Sequence, residues 1–252
     1  MQNGGLRTKG VTRASQPSMP LISVVTVVRN GAAMLEQTIL SVVNQTYGNV
    51  EYIVIDGASM DGTLDVIRKH EDRIDWWQSE PDGGIYDAMN KGIALATGEW
   101  IFFLNAGDAF YDNSVIYNVI SKSLNLNADL IYGKIVTNQN KTGYFPKNVS
   151  TLMFILERMV CHQAIFARKI VFENNYFDTA YSIIADRVWL YKCLKKKYLI
   201  VPINEIISVY DTGGLSSNQE KFDKESLSFL RSQSYLFYVV GRTKRLFKHI
   251  LC

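Results

Sequence analysis

The chain has 252 residues, 47% of them hydrophobic and 20% charged, enough to bury a core without disulfide or metal staples; 17 glycines and 5 prolines are too few for a collagen-like or broadly disordered protein. The net charge of +3 is unevenly spread: residues 1–20 carry Arg7, Lys9 and Arg13 with no acid, and residues 228–252 carry Arg231, Arg242, Lys244, Arg245 and Lys248 with no acid. The stretch between holds the other 19 of 27 basic residues against all 24 acids, a net −5 that disfavours nucleic-acid binding and suggests a partner at the basic ends.

Residues 1–20 lack the apolar run of a secretory signal and read as a mobile arm. Leu21–Val28 (LISVVTVV) is a β-branched apolar run, the mark of a strand buried on both faces. Asn30 and Gly31 supply a turn, and Ala32–Gln45 has helical spacing through Leu35, Ile39 and Val42. A second strand, Glu51–Asp56, ends in a carboxylate and the turn-rich loop Gly57–Gly62. A short helix over Thr63–His70 and a third strand over Ile74–Gln78 follow. The loop Glu80–Gly84 opens a helix over Ile85–Thr97 that Gly98 stops, and a fourth strand, Glu99–Leu104, runs into Asn105–Asp108. This βαβαβαβ rhythm predicts a parallel sheet with helices on both faces.

Beyond residue 112 the pattern loosens. A helix over Asn113–Leu124, a strand over Ala128–Val136, a helix over Ala185–Lys197 and strand material over Tyr198–Tyr210 are legible, with residues 137–183 irregular. Gln219–His249 is helical in character, with a break expected near Gly241. No run of 18 apolar residues suggests a bilayer span. The three cysteines, Cys161, Cys193 and Cys252, form no CxxC pair, which fits a reducing compartment and no zinc site.

Ligands of open α/β sheets bind beyond the carboxyl ends of the strands. Three polar clusters fall there: Arg29-Asn30, Asp56 with its glycine loop, and Asn105–Asp108. Carboxylates on one rim are the parts needed for a nucleotide and a divalent cation. The segments VVTVVRN (Val24–Asn30), IDGASMDGT (Ile55–Thr63) and EPDGGIYDAMNKGIALATGEWIFFLNAGD (Glu80–Asp108), with CHQAIF (Cys161–Phe166), Phe177–Leu190 and GGLS (Gly213–Ser216), resemble the family 2 glycosyltransferases of GT-A fold, in particular the colanic-acid type branch that builds bacterial surface polysaccharides.

The resemblance spans about residues 20–217 and implies a GT-A domain over 21–217, with a Rossmann-like nucleotide-sugar half (21–112) and an acceptor half (113–217), flanked by the arm and a basic helical extension over 218–252. It implies an inverting hexosyl transfer from a UDP- or GDP-sugar to a lipid-linked or polysaccharide acceptor. By resemblance Asp56 faces the nucleobase, Val27 and Arg29 line the same pocket, and Asp82 and Gly84 border the donor sugar and diphosphate. The usual Asp-x-Asp metal motif reads Asn105-Ala106-Gly107-Asp108 here, so Asp108 is the remaining charged ligand for Mg²⁺ or Mn²⁺, with Asn105 beside it. Asp186, at the late acidic position, is the expected general base. His162 is open to a role at diphosphate, cation or acceptor, or as a structural histidine.

Several of these residues have plainer readings: Asp56 as organiser of its own loop, Asp61 as a helix cap, Asp87 and Lys91 as an i,i+4 surface pair, and Asp178 as a loop organiser. The apolar Leu227–Val240 beside basic Arg242–His249 suits an anionic membrane surface, which places the protein at the cytoplasmic face of a plasma membrane. Two rivals remain at this point. A nucleotidyltransferase would need a longer Gly-rich basic loop than Arg29-Asn30-Gly31. A degenerate nucleotide-sugar-binding scaffold draws its support from the incomplete metal motif.

Overall fold

All seven residues of Ile22–Val28 (β2) are buried, and β2 is an interior strand, fourth in the order of a nine-stranded sheet. The computed structural model describes residues 1–123, 126–139, 145–150, 160–211 and 218–250, with 244–250 as backbone. In chain order the strands are Gln2–Gly4 (β1), β2, Val50–Asp56 (β3), Trp76–Ser79 (β4), Trp100–Phe103 (β5), Ala109–Phe110 (β6), Leu130–Thr137 (β7), Ile165–Arg168 (β8) and Ile200–Tyr210 (β9). The helices are Ala32–Val43 (α1), Thr63–Lys69 (α2), Ile85–Leu95 (α3), Val115–Ser123 (α4), Ala185–Lys195 (α5), Gln219–Gln233 (α6) and Tyr235–Ile250 (α7).

The sheet order is β1-β4-β3-β2-β5-β8-β7-β9-β6. Strands β4, β3, β2 and β5 are parallel, as the βα rhythm predicts. The second half departs from a mostly parallel sheet. Strand β8 runs antiparallel to both β5 and β7, β6 is antiparallel to β9, and β7 and β9 are parallel. An antiparallel partner needs no helical crossover.

Alternation along the strands divides the core. Val25, Val27, Ile53, Ile55, Ile101 and Phe103 face the layer of α3 and α5, while Val24, Tyr52, Val54 and Phe102 face that of α1 and α4. Gly92 lets α3 lie directly on β2, because a Cβ there would run into Val25 Cγ1. That contact carries the N-terminus of α3 to the carboxyl ends of the strands.

The expected mobile arm is instead part of the sheet. Residues 2–4 pair antiparallel with β4, from Gln2 opposite Ser79 to Gly4 opposite Trp77. Arg7 pairs with the buried Glu51, and Arg13 Nε donates to buried Asp75 Oδ1 at 2.7 Å. Two of the three N-terminal charges are therefore neutralised inside the fold, which removes the expectation of an outside partner for them.

The helical extension breaks at Ser234, in extended conformation (φ −169°, ψ 138°), and not near Gly241, which is buried inside α7. Helix α6 buries Phe229 and Leu230 in the core, whereas α7 exposes Tyr235 and Leu236. No described helix is long and apolar enough to cross a membrane. The GGLS motif and Cys252 lie outside the described residues.

Candidate active site

The carboxyl ends of the parallel strands open onto a cavity of about 550 Å³. Its walls come from the end of β2 (Val27, Arg29), the loop before α3 (Asp82, Gly84), Tyr86 of α3, the loop after β5 (Asn105, Asp108), His162–Gln163, the Ser182–Asp186 turn, and Tyr210–Asp211 after β9. Asn30, at φ 50°, turns the chain so that its amide donates to Ser59 Oγ (2.7 Å) and its Oδ1 accepts from Met60 N (2.9 Å). These bonds tie the loops after β2 and β3. Gly57 admits Asp82 and Arg29 against this junction, since a Cβ there would collide with Asp82 Oδ2. Arg29 is exposed on the rim and forms no ion pair among the described residues.

Asp56 does not line the cavity. It is fully buried and accepts from Ser59 N (3.1 Å), Ser59 Oγ and Ser79 Oγ (2.6 Å). Those donors make Asp56 the organiser of its own loop, the plainer reading of this residue. Asp61 caps as anticipated: Oδ1 accepts from Thr63 N (3.0 Å) at the start of α2 and Oδ2 from Ala32 N (3.1 Å) at the start of α1. Asp87 accepts from Gly83 N (3.0 Å), and Lys91 bridges Glu80 (2.9 Å) and Asp87 (3.6 Å), so this pair shapes the loop before α3. Within that loop Asp82 Oδ1 accepts from Gly84 N at 2.9 Å, and Gly84 adopts φ 121°, a conformation that favours glycine.

Asp108 is buried but reaches the cavity. Its Oδ1 accepts from Asp211 N (3.0 Å) and its Oδ2 from Gln163 Nε2 (3.1 Å). Burial raises its carboxyl above the ordinary aspartate value, against the lowering effect of those two bonds. Asp211 stands on the facing wall, with Oδ1 accepting from Asn138 Nδ2 (2.9 Å).

Asp186 sits in the first turn of α5. Oδ2 faces His162 Nδ1 at 2.9 Å, while Oδ1 accepts from its neighbour Arg187 N (2.8 Å) and lies 3.0 Å from the Tyr86 hydroxyl. Burial pushes this carboxyl up, but the hydrogen bonds from His162 and Tyr86 and the positive charge nearby outweigh it and hold it below the ordinary value. Burial and the adjacent Asp186 raise the Tyr86 hydroxyl well above the usual tyrosine range, so it remains a protonated donor. Helix α6 fixes the start of α5 from outside. Glu225 Oε1 accepts from Ser182 N (3.0 Å) and Ser182 Oγ (2.6 Å), and Oε2 from Ile183 N (3.0 Å) and Ile184 N (3.3 Å). An external carboxylate thus ties down the turn that leads into the helix, through to the amide of its N-cap residue, Ile184.

Val27, Arg29, Asp82, Gly84, Asn105, Asp108, His162 and Asp186 therefore meet in one cavity, and Asp56 stands behind it. Tyr86, Gln163, Asp211 and Glu225 escape a reading of the sequence. Tyr86 and Gln163 lie inside the motifs already singled out, but Asp211 and Glu225 gain their places only through contacts across the fold.

A divalent cation fits these residues in a limited way. Among the described residues no group of three His, Cys, Asp or Glu is placed to chelate one. Each Asp108 oxygen accepts one bond from the protein, and an ionised carboxylate has about four acceptor sites. Asp108, faced by Asp211, can serve as a single carboxylate ligand for a cation held otherwise by ligand oxygens and water.

The glycosyl transferase family 2 profile matches residues 23–189. A PGL/p-HBAD biosynthesis glycosyltransferase of Mycobacterium bovis (strain BCG / Pasteur 1173P2) is 32% identical over 221 residues, 84% of each chain. An uncharacterized glycosyltransferase of Mycobacterium tuberculosis (strain CDC 1551 / Oshkosh) is 32% identical over 213 residues, 81% of this chain and 79% of its own. In fold, the chain is similar to a mannosyltransferase from Pyrobaculum calidifontis solved with GDP-Man and Mn²⁺ (TM-score 0.67, 16% identity, 92% of this chain and 71% of that one). It is also similar to S. aureus TarS 1-349 in complex with UDP (TM-score 0.63, 16% identity, 82% of this chain), where it spans 63% of the TarS chain. With a GT-A sheet, a cavity at its strand ends and a profile match over most of its length, the chain belongs to glycosyl transferase family 2.

Proposed function

We propose that the chain transfers a hexosyl group from a UDP- or GDP-sugar to a lipid-linked or polysaccharide acceptor of a bacterial surface glycan, in one displacement with inversion. The observation that carries this reading is Asp186, a carboxylate held by His162, Tyr86 and Arg187 N at the wall of the cavity where the strand ends converge. The neighbours solved with UDP and with GDP-Man support a nucleotide-sugar donor.

The acceptor hydroxyl attacks the anomeric carbon, the bond from that carbon to the diphosphate oxygen breaks, and the hydroxyl proton passes to Asp186. Arg29 at the rim offers a cation to the diphosphate, and the α3 N-terminus behind Gly84 offers backbone dipoles. Asp108, with Asp211 opposite, would hold Mg²⁺ or Mn²⁺ against the diphosphate. When bound, such an ion offsets the negative charge of the departing nucleoside diphosphate. Helix α7, with exposed Tyr235 and Leu236 and the basic Arg242–His249 stretch, would rest on an anionic membrane surface near the acceptor lipid.

Calorimetry with UDP, GDP and a panel of their sugars, with and without Mn²⁺, tests donor binding; mass spectrometry and NMR of the product test transfer and anomeric configuration. Binding of one donor series and an inverted product are expected. Failure of every donor to bind at millimolar concentration would sink the reading.

A further inference from the structure

Two features of the cavity have no role in that reaction so far. Residue 105 is an amide where the related motif carries a carboxylate, and Asn105 Oδ1 is buried with no hydrogen-bond partner among the described residues. Both follow from the direction of the hydrogen bonds at His162. An ionised Asp186 Oδ2 only accepts, so its 2.9 Å contact puts a proton on His162 Nδ1. On the other side of the ring, Nε2 is 3.0 Å from Asn105 Nδ2, which only donates. With the amide in this orientation, the two contacts fit a ring with one proton, on Nδ1. Turning the amide over would satisfy Oδ1 only by demanding a second proton on the ring, and would strand the buried N–H₂ instead.

We infer that Asn105 and His162 are positioning residues for the proposed base: a one-way chain, Asn105 N–H to His162 Nε2 and His162 Nδ1–H to Asp186 Oδ2, aims Asp186 and reserves one of its oxygens for the acceptor hydroxyl. The inference rests on the transferase reading for its purpose and on geometry for its arrangement. Oδ1 of Asp186 already accepts from Arg187 N and shares the single Tyr86 hydroxyl proton with Ile183 O, whereas Oδ2 accepts only from His162 among the described residues. One acceptor site on Oδ2 is thus left for a substrate proton. Other ionisable groups that face this carboxylate are Arg187 of α5, Tyr86 of α3 and the Cys161 thiol, and none of them touches Nε2 of the ring among the described contacts. A carboxylate at position 105 would instead draw a second proton onto Nε2. The resulting imidazolium would make Asp186 a poorer proton acceptor.

The chain has three histidines, His70, His162 and His249, so ¹⁵N-histidine labelling of the full chain with a His162→Asn reference spectrum identifies the His162 ring. Two-bond ¹H–¹⁵N correlation at neutral pH should show the proton on Nδ1 and a bare Nε2, and Asn105→Asp should convert the ring to the doubly protonated form. An Nε2–H tautomer in the unaltered chain, or an unchanged ring in N105D, overturns the proposal. This measurement needs no substrate, so it fails or succeeds apart from the transferase reading. Kinetically, with hydrolysis of the preferred UDP- or GDP-sugar as the assay, His162→Ala should lower kcat about 10–100-fold with donor KM within about threefold. His162→Asn, whose amide N–H stands near the Nδ1 position, should recover about tenfold of that loss. Equal losses in H162A and H162N, or a loss confined to KM, overturn the positioning role. An Asp186→Asn variant that keeps full turnover overturns instead the assignment of the base.

Discussion

Six acids on or beside this sheet fall into two groups that look alike in sequence. Glu51, Asp56 and Asp75 are scaffold acids, buried behind the cavity and partnered from within. Glu51 accepts from Ser23 Oγ, Thr97 N (2.8 Å) and Thr97 Oγ1 and pairs with Arg7; Asp56 takes Ser59 and Ser79; Asp75 takes Tyr52 N (2.9 Å) and Arg13. Asp82, Asp108 and Asp186 line the cavity, and none forms a Lys or Arg ion pair among the described residues. What separates the groups is who supplies the positive charge. The scaffold acids draw on hydroxyls, amides and, in two cases, an arginine of the N-terminal segment. The cavity acids keep acceptor sites that a proton or a cation from outside can fill.

Asp186→Asn should break this division most visibly. An amide cannot take the acceptor proton, so kcat should fall about 10²–10⁴-fold while the fold and donor binding persist. Near-wild-type turnover with any active donor would move Asp186 into the scaffold group. Next in size is Arg7→Ala, which leaves the buried Glu51 charge without its counter-ion; loss of one partner from such a pair costs about 3 kcal/mol. Burial raises the Glu51 carboxyl, but bonds from Ser23 and Thr97 and the Arg7 charge hold it below 4.5. Its stabilising effect is therefore present above pH 4.5 and lost as pH falls through the folded value, because the unfolded chain then binds the proton first. Urea melts from pH 3 to 7 should show a shallower rise of stability with pH in R7A, with donor affinity unchanged.

Asp108→Asn sharpens the contrast from the other side. Burial raises the Asp108 carboxyl above 3.8, so the folded state holds a proton that the unfolded state has released, and stability falls as pH rises through that window. The amide should remove this slope and leave neutral-pH stability equal or higher, while donor affinity in Mn²⁺ drops about tenfold, the loss of one charge-assisted contact. A destabilised D108N with intact donor binding would make Asp108 a scaffold acid. Thermal melts and calorimetry on the same preparation decide it.

The sequence-level reading located the strands and helices of the first half because β-branched runs, glycine stops and apolar spacing are local signals. It located the rim because strand ends follow from strands. Asp56 closes β3 and Asp108 sits in the loop after β5, so both fall on the rim by sequence, and only the position of Ser59 and Ser79 against one, and of the cavity against the other, divides them. Strand β1 was equally hidden, because Gln2-Asn3-Gly4 has no strand propensity and is ordered by the open edge of β4. Glu225 lies 39 residues from Asp186 in sequence and is brought to the start of α5 by helix packing.

The two basic ends of the chain repeat the contrast on a larger scale, with the smallest expected effect on the catalytic domain. At the N-terminus Arg7 and Arg13 are spent on Glu51 and Asp75. At the C-terminus Arg242 is exposed on α7, on a helix with exposed Tyr235 and Leu236 and no acid. A cut near Glu225 would not test this difference, because it would also take Phe229 and Leu230 out of the core. A cut after Gln233 keeps α6 and its cap on α5 and removes α7 alone. With each basic residue near an anionic surface worth about 1 kcal/mol, losing the four of 242–248 should reduce binding to phosphatidylserine-containing vesicles by far more than tenfold. Donor affinity should scarcely move, and thermal stability should fall only by what Phe237, half-buried against the core, contributes. If the shortened chain still binds the vesicles, the charge at this end does not dock the protein, and the carboxyl-terminal cations belong with Arg7 and Arg13 as part of the internal balance.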